Sequence, residues 1–161
     1  MCIRDRCWVC LVHGYSIMVK ITYKGETRNI PKRYLPDSLS KADRQKQIKS
    51  IFEKKDRPKV KVKERTSSHT IKFNKLYGDK IDKMKGGRSK KNIAKLTGIP
   101  YKALDEVYKK GEGAFFSSGS RPNQSKDSWG RGRMYAYITG GAKVRKADKD
   151  ITEKYKVKFK H

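Results

Sequence analysis

Residues 89–108, Ser89-Lys-Lys-Asn-Ile-Ala-Lys-Leu-Thr-Gly-Ile-Pro-Tyr-Lys-Ala-Leu-Asp-Glu-Val-Tyr108, decide how this chain is read. Ala94 is small enough for two helices to cross closely, and Gly98, four residues on, permits the positive φ of a tight turn. Ile93 and Ile99 flank that pair, and Leu104 and Val107 return at helical spacing to face the first helix. Pro100 suits the opening of the second helix, where its missing N–H leaves no bond unmade. The spacing predicts a helix-turn-helix-like pair over 89–110. If that pair reads DNA, its second helix presents Tyr101, Lys102, Asp105, Glu106 and Lys109 to the major groove. Two of those five are acidic and repel phosphate, so a helical corner that only packs is an equal reading.

Upstream, Gly86-Gly87 sits among Lys80, Lys83, Lys85, Arg88, Lys90 and Lys91, which reads as a mobile basic loop placed to contact a phosphate backbone. A short helix, Ile71–Tyr77, precedes it, with Ser67 or Ser68 as cap and Gly78 as stop. Downstream, residues 111–141 hold seven of the thirteen glycines and five aromatics. Ser125 caps a helix from about Lys126 to Thr139, with Trp129, Met134 and Ile138 turned inward. Gly130 and Gly132 each cost a helix about 1 kcal/mol relative to alanine, so another backbone or a ligand should come close to them. The serines, glycines and Arg121 ahead of this helix form either an anion site with Arg131 and Arg133 or a structural clasp of Arg121, Trp129 and Arg133.

Towards the N-terminus the pattern simplifies. Val19, Ile21 and Tyr23 alternate with polar residues, and a turn at Gly25-Glu26 returns through Thr27–Ile30 as a hairpin. Pro31 and Pro36 bracket an extended link. Ser40 and Asp43 resemble a capping box for a basic helix to about Lys55, buried only along Ile48, Ile51 and Phe52. Pro58–Arg65 is an edge strand or extended linker. The fold expected is mainly α, with a minor N-terminal β-hairpin. Residues 18–161 should form a single basic domain: hairpin and link over 18–36, basic helix and linker over 37–66, helical core over 67–155.

The chain has 161 residues, 42 Lys+Arg and 16 Asp+Glu, a formal charge of +26. A surface this positive repels itself unless a polyanion neutralises it. The absence of a run of eighteen apolar residues excludes a membrane span. All three cysteines, Cys2, Cys7 and Cys10, lie in the opening MCIRDRCWVCLVHGYSI. Cys7-Trp-Val-Cys10 alone could be a redox pair or half a zinc site, but no second cysteine pair completes four ligands. The string Met1–Arg6 also reads as the in-frame translation of a sequencing adaptor end. Residues 1–17 are therefore expected to be an unfolded artefact, with Met18 as the natural start. Without Arg4, Arg6 and Asp5 the counts fall to 40 and 15, a charge of +25, and no cysteine remains. That suits a reducing compartment, not secretion.

Three stretches, YLPDSLSKADRQKQIKSI (34–51), TGIPYKALDEVYKKGEGAFFSSGSRPNQ (97–124) and SWGRGRMY (128–135), resemble the uncharacterised family numbered 5824 among domains of unknown function. The similarity spans residues 18–155. It implies no activity, but a setting in large DNA viruses, phages and marine metagenomes, hence an infected host cell or a virion.

Catalytic residues are scarce. Beyond residue 17 the histidines are His69 and His161, the acids are scattered among lysines, and no phosphate-loop or dinucleotide signature occurs. The expected function is non-enzymatic binding of nucleic acid, DNA before RNA, with no cofactor, metal or membrane partner. Lys80, Lys83, Lys85, Arg88, Lys90 and Lys91 contact the backbone; Tyr101, Lys102 and Lys109 lie at the groove; Arg121, Arg131 and Arg133 make a second basic site. The alternative is a virion or assembly protein whose charge serves packaging or docking onto virion proteins, and the lesser one a nuclease or strand-transfer enzyme.

Overall fold

A computed structural model describes residues 17–161. The adaptor-like opening and the Cys7/Cys10 pair lie outside the described residues. The chain is mainly helical with one two-stranded antiparallel sheet near its start. Where the sequence reads as one basic domain, the backbone divides into two compact units: residues up to Glu64 with Glu112–Trp129, and Arg65–Gly111 with Gly130–His161.

In the first unit, strands β1 (Met18–Tyr23) and β2 (Glu26–Pro31) pair with Val19 opposite Ile30 and Tyr23 opposite Glu26. The two-residue turn has positive φ at both Lys24 and Gly25, the geometry whose twist matches a hairpin. Helix α1 (Lys41–Phe52) starts where Ser40 Oγ accepts the Asp43 N–H at 3.1 Å. It stops short of Lys55 because Lys54 turns left-handed (φ 53°) and the Lys55 N–H reaches back to the Ser50 carbonyl at 2.9 Å. Its narrow stripe buries Ile48, Ile51 and Phe52 against Ile30, Tyr34 and Leu35. Gln47, unremarkable in the sequence, is also buried, and its amide donates to the carbonyls of Tyr34 and Ser120.

Residues 58–64 are an extended linker, not a strand. Asn123 holds it as a neighbouring strand would, accepting from the Val60 N–H and donating to the Val60 carbonyl. Arg57 is 6% exposed, and burial pulls its guanidinium down to about 10, still charged at neutral pH. It donates to the carbonyls of Ser50, Lys55 and Phe115 and to Ser120 Oγ. Ser50 closes one helix and Phe115 lies in the last turn of another, so the cation sits where helix C-termini gather negative charge.

The second unit begins at a Ser67 cap. Helix α2 (Ser68–Phe73) runs through a π-helical turn, Asn74–Gly78, into α3 (Asp79–Asp82). The expected stop at Gly78 is therefore wrong. Gly78 stays right-handed because Phe73, Tyr77 and Ile81, four residues apart, all bury into one core and carry the helix across it. The segment expected as a mobile basic loop is partly α3 and then a tethered turn over Lys83–Arg88. The Asn92 amide donates to the Lys85 and Gly87 carbonyls, while Arg88 bonds Asp82 and Asn74.

Helix α4 (Lys90–Thr97) is capped by Ser89 and closed by Gly98 at φ 74°. Helix α5 (Tyr101–Ser118) follows, its first backbone bond accepted by Pro100. Ile93, Ile99, Leu104 and Val107 are buried together, which is the packing their spacing predicts. Helix α6 (Lys126–Thr139) starts at Ser125, and Ser125 and Ser128 bond each other's N–H groups reciprocally. Short helices α7 (Ala142–Arg145) and α8 (Lys149–Lys154) follow; α8 adds Ile151 to the core, and Val157 and Phe159 pack on it beyond. The aliphatic and aromatic side chains buried here contribute about 1.5–3 kcal/mol each.

Candidate nucleic-acid interface

The helix-turn-helix-like pair and α6 border a cleft in the second unit. Ser89, Lys90 and Lys91 come from the start of α4, Tyr101 and Tyr108 from α5, and Arg131 and Met134 from α6. Its volume is about 320 Å³. Met134 is fully buried at its base, whereas Lys91 and Tyr101 are exposed, Tyr101 at 42%.

Tyr108 stands where it does because residue 130 is glycine. A Cβ built on Gly130 would lie 2.8–3.0 Å from the Tyr108 ring, so only a bare backbone lets α6 approach. The close neighbour at Gly130 is a side-chain ring and not the backbone or ligand expected, and at Gly132 a Cβ would meet no protein atom within 4 Å. The Lys90 ammonium lies 4.4 Å from the Tyr108 ring centroid and 5.9 Å from that of Tyr101, while bonding Asp105.

The acids expected to repel phosphate are engaged within the fold. Lys109 and Lys90 together hold the Asp105 carboxyl below its usual range, and Lys154 with the Tyr155 hydroxyl does the same for Glu106. This neutralises the objection and also occupies Lys90 and Lys109. Arg88 is likewise engaged: it pairs with Asp82, whose carboxyl it draws down. Lys80, Lys83, Lys85, Lys91 and Lys102 are exposed, with no ion pair among the described residues.

Of the second basic site predicted at Arg121, Arg131 and Arg133, Arg121 belongs to the first unit and the other two to the second. Arg133, only 8% exposed, points inward to bond both oxygens of Asp148, itself 1% exposed, so its charge is paired inside the fold. Arg131 lines the cleft and donates to the Arg88 carbonyl at 3.1 Å. Asp148 carried no sequence signal, because its partner lies fifteen residues away with a chain reversal between them. Burial pushes the His69 imidazole below its usual value. Among the described residues no three His, Cys, Asp or Glu side chains gather to hold a metal ion. No helix among them is long and apolar enough to cross a membrane.

A family model described as a family of unknown function (DUF5824) matches residues 30–154. No curated protein and no solved structure matches the chain.

Proposed function

We propose that this chain, which belongs to the family of unknown function DUF5824, is a non-enzymatic nucleic-acid-binding protein that grips phosphates through its second unit. The observation that supports this reading is uncompensated charge beside the helix-turn-helix-like pair. Residues 65–111 and 130–161 hold 23 Lys+Arg against 7 Asp+Glu, a charge of +16, whereas 17–64 and 112–129 hold 17 against 8, or +9. Six of the seven acids in the second unit, all but Asp79, already pair within the fold. Lys80, Lys83, Lys85, Lys91 and Lys102 are left to neutralise an outside polyanion, and phosphate backbones supply one at regular spacing. The viral setting implied by the family resemblance is part of the same proposal.

Counterion release gives the test. Five phosphate contacts make log Kobs for duplex DNA fall with log[salt] at a slope of about −4.5, and Lys83→Ala with Lys85→Ala makes it shallower by about 2. Failure of duplex DNA, single-stranded DNA and RNA alike to bind at low salt refutes the reading and favours docking onto an acidic protein.

A further inference from the structure

We infer that the cleft bordered by α4, α5 and α6 holds one unpaired nucleobase, so that the chain prefers single-stranded nucleic acid to duplex. The inference rests on the reading just given and specifies the form of the polyanion. A helix that reads a major groove presents a convex row of side chains to base edges. Here the same helix instead supplies Tyr101 and Tyr108 to the wall of a concavity. Its volume, about 320 Å³, lies at the small end of the about 300–1,000 Å³ of small-ligand sites, the scale of one nucleotide.

The lining is divided as a nucleotide is. Tyr108, over the fully buried Met134, gives an aromatic wall suited to a base, and the exposed Lys91 brings positive charge suited to the adjoining phosphate. Tyr101 is the exposed aromatic among the large apolar side chains of the second unit, and an aromatic ring open to solvent beside cations is the platform on which unpaired bases stack. Lys90 does not serve the phosphate. Bonded to Asp105 and placed against both tyrosine rings, it orients the wall. Bases inside a duplex have their faces covered by neighbours and cannot enter such a cleft without unstacking.

Fluorescence anisotropy separates the two readings. The probes are oligothymidylate of about 20 nucleotides and a duplex of equal length, at about 50 mM salt, with free thymidine monophosphate as competitor. Expected are tighter binding of the single strand, a loss of about 5- to 150-fold in that affinity for Tyr101→Ala, and retention within about threefold for Tyr101→Phe. Duplex affinity should be unmoved by either change, and Lys83→Ala with Lys85→Ala should weaken both probes. Duplex binding as tight as the single strand, or a Tyr101→Ala variant that binds oligothymidylate like wild type, overturns the base-holding role and leaves phosphate binding standing. Monophosphate binding as tight as the oligonucleotide overturns it in favour of a small-molecule site. Failure of both oligonucleotides and of oligouridylate of equal length to bind overturns both readings.

Discussion

Gly130 and Gly132 occupy one helix, two residues apart, and alanine should act on them with opposite sign. In an exposed helix interior glycine-to-alanine gains about 1 kcal/mol through backbone entropy and helix propensity. At Gly132 nothing lies within 4 Å of the new Cβ, so that gain should appear nearly whole. At Gly130 the Cβ would lie 2.8, 2.9 and 3.0 Å from three atoms of the Tyr108 ring. Contact at such range is repulsive, so the Tyr108 ring, which lines the cleft and meets Lys90, must shift. Overpacking of this kind costs about 1–3 kcal/mol, so the net change is a loss of about 0–2 kcal/mol. In a thermal melt, Gly132→Ala should raise Tm by about 2–4 °C and Gly130→Ala should leave it unchanged or lower it. The binding assay adds a second readout, since only Gly130→Ala should disturb oligothymidylate affinity. If both variants melt equally far above wild type, Tyr108 is not held by the approach of α6, and the account of the cleft wall is wrong.

Arg57→Ala takes the guanidinium donor from the buried Phe115 carbonyl and leaves the Ser50 carbonyl only the Lys55 N–H, and a loss of about 1–3 kcal/mol is expected in urea unfolding. Arg57→Lys should fall between, because one ammonium cannot span the acceptors of a planar guanidinium; a loss under about 1 kcal/mol for alanine would refute the clasp. Glu53, held by Lys55, Tyr23 and Lys24, has its carboxyl drawn down to about 2 from 4.5. A carboxylate depressed in the fold stabilises above its unfolded value and loses that contribution as pH falls through the folded one. The stability difference between wild type and Glu53→Gln should thus be steady above about pH 5 and vanish towards pH 2; an NMR titration midpoint for Glu53 near 4 would refute the pairing.

Much of this fold was legible because its signals are short-range. Serines at 40, 67, 89 and 125 all bond N–H groups three residues ahead, and Gly98 ends α4 left-handed, each a contest settled within one turn of chain. The hairpin needed only alternation and a two-residue turn. The same local rule misled at Gly78, where burial of Phe73, Tyr77 and Ile81 outweighed the glycine. The candidate site was legible in its residue types, not in their disposition. Sequence placed Lys90, Lys91, Tyr101 and Arg131 on a list; only folding brought them around one cleft, bonded Lys90 to Asp105 and turned Arg133 inward to Asp148.

Sequence by itself therefore determined the helical class, the serine-capped helix starts and the excess of positive charge, since propensity, capping and composition act over a few residues. Tertiary structure alone decided which charges are spent inside and which face outwards. An ion pair depends on the distance between groups far apart in the chain, and that distance exists only once the helices have packed.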